Sequence, residues 1–286
     1  MIRRWVAVVL MLAAAIAGGA AADRPARIVS LVPAASEMIF AMGDGGRLVG
    51  VGSYDRFPPE VSRLPRVGGL VDPDTERIIT LRPDLVVVYA TQTELIQRLD
   101  RARIPYYSYE HRALPDIIAT VRSLGARIGS PERAEALASS MERSLAGIRA
   151  ATSRLPHPAT VLVFSREPGS LRNIYVSGGY GFLHDMLEIA GGANVFGDVK
   201  MQSVQASTET LLMRKPDVVI ELHYGDSVRA LDLAKEARAW DVLASIPAVR
   251  NHRVYGLVGD EFVVPGPRIV EAARELAHTL HPDAVK

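Results

Sequence analysis

Residues 76–87 read ERIITLRPDLVV, and residues 209–220 read ETLLMRKPDVVI. In both stretches a Glu stands seven residues before a Pro-Asp pair, and a run of mostly β-branched residues follows that pair. The first half of each stretch is typical of a short helix, for which Asp74 and Ser207 are the expected N-caps. The second half is typical of a buried parallel strand. The shared position of the Glu favours an internal duplication over coincidence.

The rest of the chain alternates short strands with helices. Strands are predicted at 27–31, 47–51, 84–88, 105–109, 160–164, 217–221 and 253–258, and helices at 34–42, 91–103, 114–128, 180–190 and 267–280. Such alternation implies βαβ units and parallel sheets. Together with the repeat, it predicts an α/β fold with two Rossmann-like lobes.

One long helix separates the two halves. Ser130 is the expected N-cap, Pro131 occupies the first helical position, and apolar residues continue at helical spacing to about Arg154. Its length of roughly 34 Å is enough to span a whole domain. It is either an ordinary packing helix or, more specifically, a rigid connector between two lobes. The expected division is a signal peptide at 1–22, an N-terminal lobe at 23–129, a connecting helix at 130–154 and a C-terminal lobe at 155–286.

The N-terminus has the pattern of a cleavable export signal. Arg3 and Arg4 precede an apolar run at 5–17, and small residues fill 18–22. The run is short for a bilayer span, and a membrane anchor is the alternative. We expect cleavage after Ala22. Because the sequence has no cysteine to carry a lipid, we expect a freely diffusing protein of the periplasm.

Composition excludes several classes of function. The absence of cysteine excludes Cys-ligated zinc, iron–sulfur clusters and a cysteine nucleophile. Lys plus Arg total 33 against 32 for Asp plus Glu, and this balance argues against a nucleic-acid partner. The seven histidines show no HxH or HExxH spacing, so no metal site is predicted and capture of a bare metal ion is a minor alternative. No G-x-S-x-G or G-x-G-x-x-G motif is present where an enzyme would need it, which leaves a secreted α/β enzyme as the remote alternative.

Two parallel sheets would bind a ligand beyond the carboxyl ends of their strands. The loops that follow the repeated strands, 89–92 and 223–226, would therefore face each other across a cleft. Arg56 and Arg166 could pair there with anionic ligand groups. Each of these positions could also be an ordinary loop residue. The candidates for stacking on a flat macrocycle, or for bonding to it, are Tyr54, Tyr89, His223 and Tyr224.

The duplication also places Glu76 and Glu209 at equivalent surface points, one in each lobe. Two carboxylates related by a pseudo-twofold axis suit docking onto a partner with twofold symmetry. Alternatively, each Glu merely complements the positive end of its own helix. Spacing alone leaves both interpretations open.

Three further motifs carry a resemblance to a known family. Residues 27–37 read RIVSLVPAASE, residues 49–59 read VGVGSYDRFPP, and residues 65–69 read PRVGG. In this order they resemble the helical-backbone, or class III, periplasmic binding proteins, and within them the receptors for vitamin B12 and iron chelates. The resemblance covers nearly all of residues 27–280.

The resemblance implies a monomeric receptor without catalytic activity or resident cofactor. It would capture cobalamin or a related corrinoid between two lobes joined by the long helix, with haem or a ferric siderophore as the alternative cargo. It would then deliver this cargo to an inner-membrane ABC permease dimer with its ATPase subunits. Glu76 and Glu209 match the family's acidic residues that engage arginines of the permease.

The family's ligand contacts are matched only in part. Tyr54 matches a tyrosine of the family's cleft, and Tyr89 stands where the family has a tryptophan. Asp260, in the acidic-aromatic stretch Gly259-Asp260-Glu261-Phe262, is a candidate polar contact. A tryptophan expected just after Gly68 is absent. The resemblance therefore implies the receptor class more firmly than the cargo.

Overall fold

A computed structural model describes residues 24–284, apart from 111, 226, 227 and 229–231. The predicted signal peptide at 1–22 lies outside this part of the chain. Within it, no helix combines the length and the apolar composition that a bilayer crossing requires.

The first sheet is parallel throughout, as predicted. Its strands are arranged in the order β2-β1-β3-β4. Leu85–Val88 are fully buried between helices on the two faces of the sheet, as the run of β-branched residues predicts. The elements of this first lobe are β1 (Ile28–Ser30), α1 (Pro33–Ala41), β2 (Leu48–Val51), α2 (Thr75–Thr80), β3 (Leu85–Tyr89), α3 (Thr93–Ala102), β4 (Tyr106–Tyr109) and α4 (Leu114–Arg127).

The second sheet follows the long helix α5 (Pro131–Thr152) and has the order β10-β9-β5-β6-β8, with β7 beside β5. The elements of this second lobe are β5 (Ala159–Ser165), β6 (Ile174–Ser177), α6 (Phe182–Ile189), β7 (Ala193–Asn194), β8 (Ser203–Ala206), α7 (Thr208–Arg214), β9 (Val218–His223), α8 (Leu233–Arg238), α9 (Pro247–Arg250), β10 (Val254–Val258) and α10 (Ile269–Leu280).

Part of the second sheet departs from the parallel pattern. Strands β10, β9 and β5 are parallel, whereas β6 pairs antiparallel with both β5 and β8. The connection at 166–173 is too short for a crossover helix, so β6 must return beside β5 in the opposite direction. The α/β class and the parallel pairing at the centre of both sheets are confirmed, and the antiparallel edge is an addition.

Helix α5 begins where the sequence predicts, but Ser130 does not cap it with its side chain. Instead, the Ser130 hydroxyl donates to Asp44 Oδ2 at 2.6 Å, and Arg133 donates to both oxygens of the same carboxylate. Burial alone would raise the pKa of Asp44, but the hydrogen bonds from Ser130, Arg47 and Arg133 lower it. A buried ionic cluster thus fixes the start of α5 to the loop after α1.

The long helix is both a connector and a packed element. It contacts α4 of the first lobe and α6 and α10 of the second. One hydrophobic core runs through these helices and includes Ile117, Met141, Leu187 and Leu276. The two lobes therefore share buried surface, which opposes large opening movements.

The two repeated stretches adopt the same local structure. Asp74 Oδ1 accepts from the amide of Arg77 at 2.9 Å, and Ser207 Oγ accepts from the amide of Thr210 at 3.2 Å. Both side chains are the predicted N-caps, of α2 and α7 respectively. After each helix comes a cationic residue in the left-handed conformation, at 82 with φ 47° and at 215 with φ 48°.

The aspartates after the two prolines also play the same part. The Asp84 carboxylate accepts from the backbone amides of Ala26 and Arg27, just before β1. The Asp217 carboxylate accepts from the amide of Ala159, the first residue of β5. Each Pro-Asp pair thus ties the repeated strand to the first strand of its own lobe.

Candidate ligand-binding cleft

The loops at the carboxyl ends of the two sheets meet across a cleft. Arg56, after β2, places Nη1 4.0 Å from Oδ2 of Asp260, after β10. The other carboxylate oxygen of Asp260 accepts from the Gly225 amide at 2.9 Å. The loop that carries Tyr54 and the loop that carries Tyr224 therefore lie on opposite walls, close enough for one arginine to span them.

On the first wall, Tyr54 is exposed and its ring lies against Gly69. A Cβ atom at Gly69 would stand 2.9 Å from Cε2 of Tyr54. The tyrosine ring thus lies over the backbone at the point where the resemblance leads one to expect a tryptophan.

Tyr89 is more enclosed than its loop position suggests. Its ring meets that of Tyr109 edge to face, with centroids 5.9 Å apart and planes at 83°. Burial, with a smaller effect from Asp55, raises the pKa of Tyr89 to about 12. The Tyr109 hydroxyl reaches the Pro265 carbonyl of the second lobe at 3.5 Å. Tyr89 therefore belongs to the packed floor of the first wall rather than to its rim.

Beneath Tyr54 lies a buried carboxyl group, that of Asp55. Within the described part of the chain neither of its oxygens has a hydrogen-bond partner. Arg66 donates to the backbone carbonyls of Gly52 and Asp55, at 2.9 and 2.7 Å, rather than to the carboxylate. Burial raises the pKa of Asp55 to about 7, because Ser36 and Arg66 offset the loss of solvation only in part.

The second wall contains a pocket of about 400 Å³ at the carboxyl ends of β5 and β9. It combines an apolar rim with charged groups at its base. The residues that line it include Phe164, Arg166, Pro168, Glu221, Leu222, His223, Tyr224 and Glu236.

Arg166 forms the centre of the charged base and is only 5% exposed. It donates to both oxygens of Glu221 and to three backbone carbonyls, and it forms an ion pair with Oε2 of Glu236. Trp240 Nε1 donates to Glu221 at 3.0 Å. Since all five N–H groups of Arg166 are engaged, it has no donor left for an anionic ligand group.

Sequence reasoning named Arg166 but missed both of its carboxylate partners. Burial alone would raise the pKa of Glu221, but His223 and Arg166 hold it below its usual value. By formal charge, the pocket base combines the cation of Arg166 with the two carboxylates of Glu221 and Glu236. The only local signal was a single Glu inside the apolar strand at 217–222; Glu236, on α8, gave none.

His223 lies at the wall of this pocket. Its Nε2 atom is buried, 3.6 Å from Oε2 of Glu221 and without a hydrogen-bond partner in the described structure. Tyr224, next to it, is exposed. The ring of His223 therefore lies against the charged base of the pocket, beside Glu221.

A second cross-lobe contact closes the floor of the cleft. Arg268, just before α10, donates to both oxygens of Glu37 on α1, at 2.6 and 3.0 Å, and to Glu261 at 2.8 Å. Its guanidinium carbon lies 4.2 Å from the ring centroid of Phe57. Burial raises the pKa of Glu37 although Arg268 opposes this. This network fixes the relative position of the two lobes.

Glu76 and Glu209 occupy the second position of α2 and α7. Both are exposed, and the buried and exposed positions of the two helices follow nearly the same order. Within the residues that the structure describes, no group of three or more His, Asp or Glu side chains could hold a metal ion.

Comparison with known families finds a match to the family described as periplasmic binding protein, over residues 28–260. The chain is 29% identical over 270 residues to an ABC transporter substrate-binding lipoprotein of Bacillus subtilis, covering 92% of this chain and 82% of that protein. It is 29% identical over 256 residues to the vitamin B12-binding protein of Salmonella typhimurium, covering 89% and 90% of the two chains.

Solved structures give a similar result. The periplasmic vitamin B12 binding protein BtuF of Vibrio cholerae superposes with a TM-score of 0.75 at 25% identity, over 90% of this chain and 97% of that one. The periplasmic haem-binding protein RhuT of Roseiflexus sp. RS-1 superposes with a TM-score of 0.74 at 27% identity, over 91% and 99%. The resemblance in fold therefore extends over the whole length of both solved chains.

Proposed function

Because the chain belongs to the periplasmic binding protein family, we propose that it captures a corrinoid such as cobalamin in the periplasm and delivers it to an ABC importer. The names of the relatives support the receptor class and the importer. The receptor acts as a monomer after removal of residues 1–22. It holds no resident cofactor and catalyses no reaction, since ATP hydrolysis belongs to the importer's own subunits.

The observation that carries the choice of cargo is the charge of the second-wall pocket. Arg166 is neutralised by Glu221, and Glu236 leaves the pocket base with a surplus negative charge. A carboxylate of the cargo would be repelled there, whereas an amide N–H could donate to a Glu oxygen. The periphery of a corrinoid carries neutral amides, and that of haem carries two propionates. The pocket therefore favours the corrinoid.

The aromatic side chains suit a flat macrocycle. Tyr54 on the first wall and Tyr224 on the second are both exposed. A stacked ring contributes about 0.5–1.5 kcal/mol beyond the area that it buries. Tyr89 supports the first wall from below, and Asp260 offers a carboxylate oxygen at the junction of the walls.

Docking on the importer uses Glu76 and Glu209. Their equivalent positions on α2 and α7 match two cations related by the symmetry of a permease dimer. Each exposed ion pair contributes only about 0–1 kcal/mol. The two pairs therefore set the register of the complex more than its strength.

Haem is the second candidate cargo, and a ferric siderophore belongs to the same group. A haem-binding relative is 27% identical to this chain. In that case Arg56, at the junction of the two walls, is the cation that would face an anionic group of the cargo. Arg56→Gln would then abolish binding.

Titration of the purified chain 23–286 with cyanocobalamin, dicyanocobinamide, haemin and ferrichrome tests the proposal. We expect saturable quenching of tryptophan fluorescence, tightest for the two corrinoids and weakened at least tenfold by Tyr224→Ala. Val242→Ala, at an exposed apolar position outside the cleft, is the matched control. Tighter binding of haemin would assign haem as the cargo instead, and failure of all four ligands would remove the assignment to this group of chelates.

A further inference from the structure

Each glutamate proposed to dock has an exposed apolar neighbour at the same place on its helix. Ile79 follows Glu76 by three residues and is 42% exposed. Leu212 follows Glu209 by three residues and is 37% exposed. Residues three apart lie on the same face of a helix, so each carboxylate has an apolar side chain beside it.

These apolar side chains are not needed to hold the helices in place. Ile78 and Leu211, one residue earlier, are fully buried and attach α2 and α7 to their lobes. Single exposed apolar residues are common on protein surfaces and need no explanation. Here, however, they recur at the same position of a duplicated unit, next to the residue that the unit presents to a partner.

We propose that each lobe binds the importer through a mixed patch, formed by Glu76 with Ile79 in the first lobe and by Glu209 with Leu212 and Met213 in the second. The inference rests on the proposed docking role of the two glutamates. The partner must then offer, at two symmetry-related points, a cationic side chain beside an apolar surface. The charges govern the association rate and the register, and the apolar contacts govern the lifetime of the complex.

The two patches are unequal. Met213 is 74% exposed, whereas the equivalent position in the first lobe holds Thr80. The exposed Arg77 stands beside Glu76, where the second lobe has Thr210. The second patch is thus more apolar and carries no cation to oppose its Glu, so we expect it to contribute more to the lifetime.

Binding kinetics can separate the two components of the patch. The partner is a permease–ATPase complex in nanodiscs, selected because the wild-type chain stimulates its ATP hydrolysis. We expect Ile79→Ser with Leu212→Ser to dissociate roughly tenfold faster than wild type at both low and high salt. Glu76→Gln with Glu209→Gln should instead slow association and reduce its salt dependence. Val242→Ser serves as the control for removal of an exposed apolar side chain.

Conservative replacement provides the decisive check. Ile79→Leu with Leu212→Met should restore the wild-type dissociation rate, and all variants should keep the wild-type melting temperature and corrinoid affinity. A serine double variant that dissociates like wild type overturns the mixed patch, even if the glutamine variant associates slowly. A glutamine variant that associates like wild type overturns the docking role of the glutamates, as does failure of the wild-type chain to stimulate any such complex.

Discussion

The two halves of the chain agree at their short helices and differ at the strand ends that follow. Val88 in β3 and Glu221 in β9 each stand twelve residues after the repeated glutamate, and both are buried. The first lobe fills this position with an apolar side chain, whereas the second fills it with a carboxylate held by Arg166 and Trp240. The two lobes share the helix N-caps and the hydrogen bonds of the Pro-Asp pairs. They differ at the strand ends that face the cleft.

As a result, the two walls of the cleft differ in chemical character. The first wall is aromatic and apolar around Tyr54 and Tyr89, and the buried carboxyl group of Asp55 directly follows Tyr54 in the chain. The second wall carries the charged base of the pocket around Arg166. A cargo that suits both walls has a flat face and neutral polar side arms.

The largest effect should come from making the second lobe like the first. Glu221→Val removes the bidentate partner of Arg166 and the acceptor of Trp240, and leaves a buried guanidinium with too few acceptors. Breaking a buried pair from one side costs about 3–5 kcal/mol. Urea unfolding measures this loss in the free energy of unfolding.

Glu221→Gln is the matched control, because it keeps the shape and one carbonyl oxygen, and it should lose less. If Glu221→Val lost less than about 1 kcal/mol, the buried pair would not be the element that distinguishes the second wall.

The first wall has its own test in Asp55→Asn. Folding raises the pKa of Asp55 to about 7, so the folded state resists ionisation. Wild-type stability should therefore fall, relative to the variant, as pH rises from about 4 to 7, and the difference should then stay constant. This pH-dependent loss in the free energy of unfolding amounts to roughly 3–4 kcal/mol.

Urea unfolding of both proteins at pH 4.5 and pH 8 measures this difference. The free energies of unfolding of variant and wild type could differ by the same amount at both pH values. That result would show that Asp55 is not buried in its neutral form.

A smaller loss in the free energy of unfolding is expected at the Pro-Asp pairs, which the two lobes share. Asp84 accepts two backbone N–H groups and Asp217 accepts one. Asp84→Ala should therefore cost about 1–2 kcal/mol and Asp217→Ala about 1 kcal/mol. Chemical denaturation measures the free energy of unfolding of both variants. A larger loss for Asp217→Ala would contradict the equivalent role of the two aspartates.

The smallest effect concerns the exposed glutamates. Glu76→Gln and Glu209→Gln should each change the free energy of unfolding by less than about 0.5 kcal/mol, since exposed surface substitutions rarely do more. Thermal unfolding checks this. A substantial loss would favour the alternative that these side chains serve their own helix N-termini.

Much of the framework could be predicted because its signals are local. The caps Asp74 and Ser207, the Pro-Asp pairs and the proline that opens α5 each act within a few residues of chain. The central strands could be read from runs of β-branched residues. The antiparallel strand β6 was missed although three of its four residues favour a strand, and its direction depends on the short loop before it.

The second wall could not be predicted because its contacts are long-range. Arg166, Glu221 and Glu236 come from a strand end, a strand and a helix that only the fold brings together. Tyr89 was expected on an open loop, but Tyr109 from the neighbouring strand encloses it. Sequence reasoning named candidate residues on both walls, and the structure adds the carboxylates that surround Arg166 in the second one.

The most direct test of the central claim compares two ligands that differ only in charge. Calorimetric titration of the mature chain with dicyanocobinamide, and with a dicyano-corrin whose peripheral amides are replaced by carboxylates, isolates the preference of the second wall. We predict at least tenfold tighter binding of the amide form, with the difference narrowing as salt is raised. Equal affinity, or tighter binding of the carboxylate form, would contradict the account.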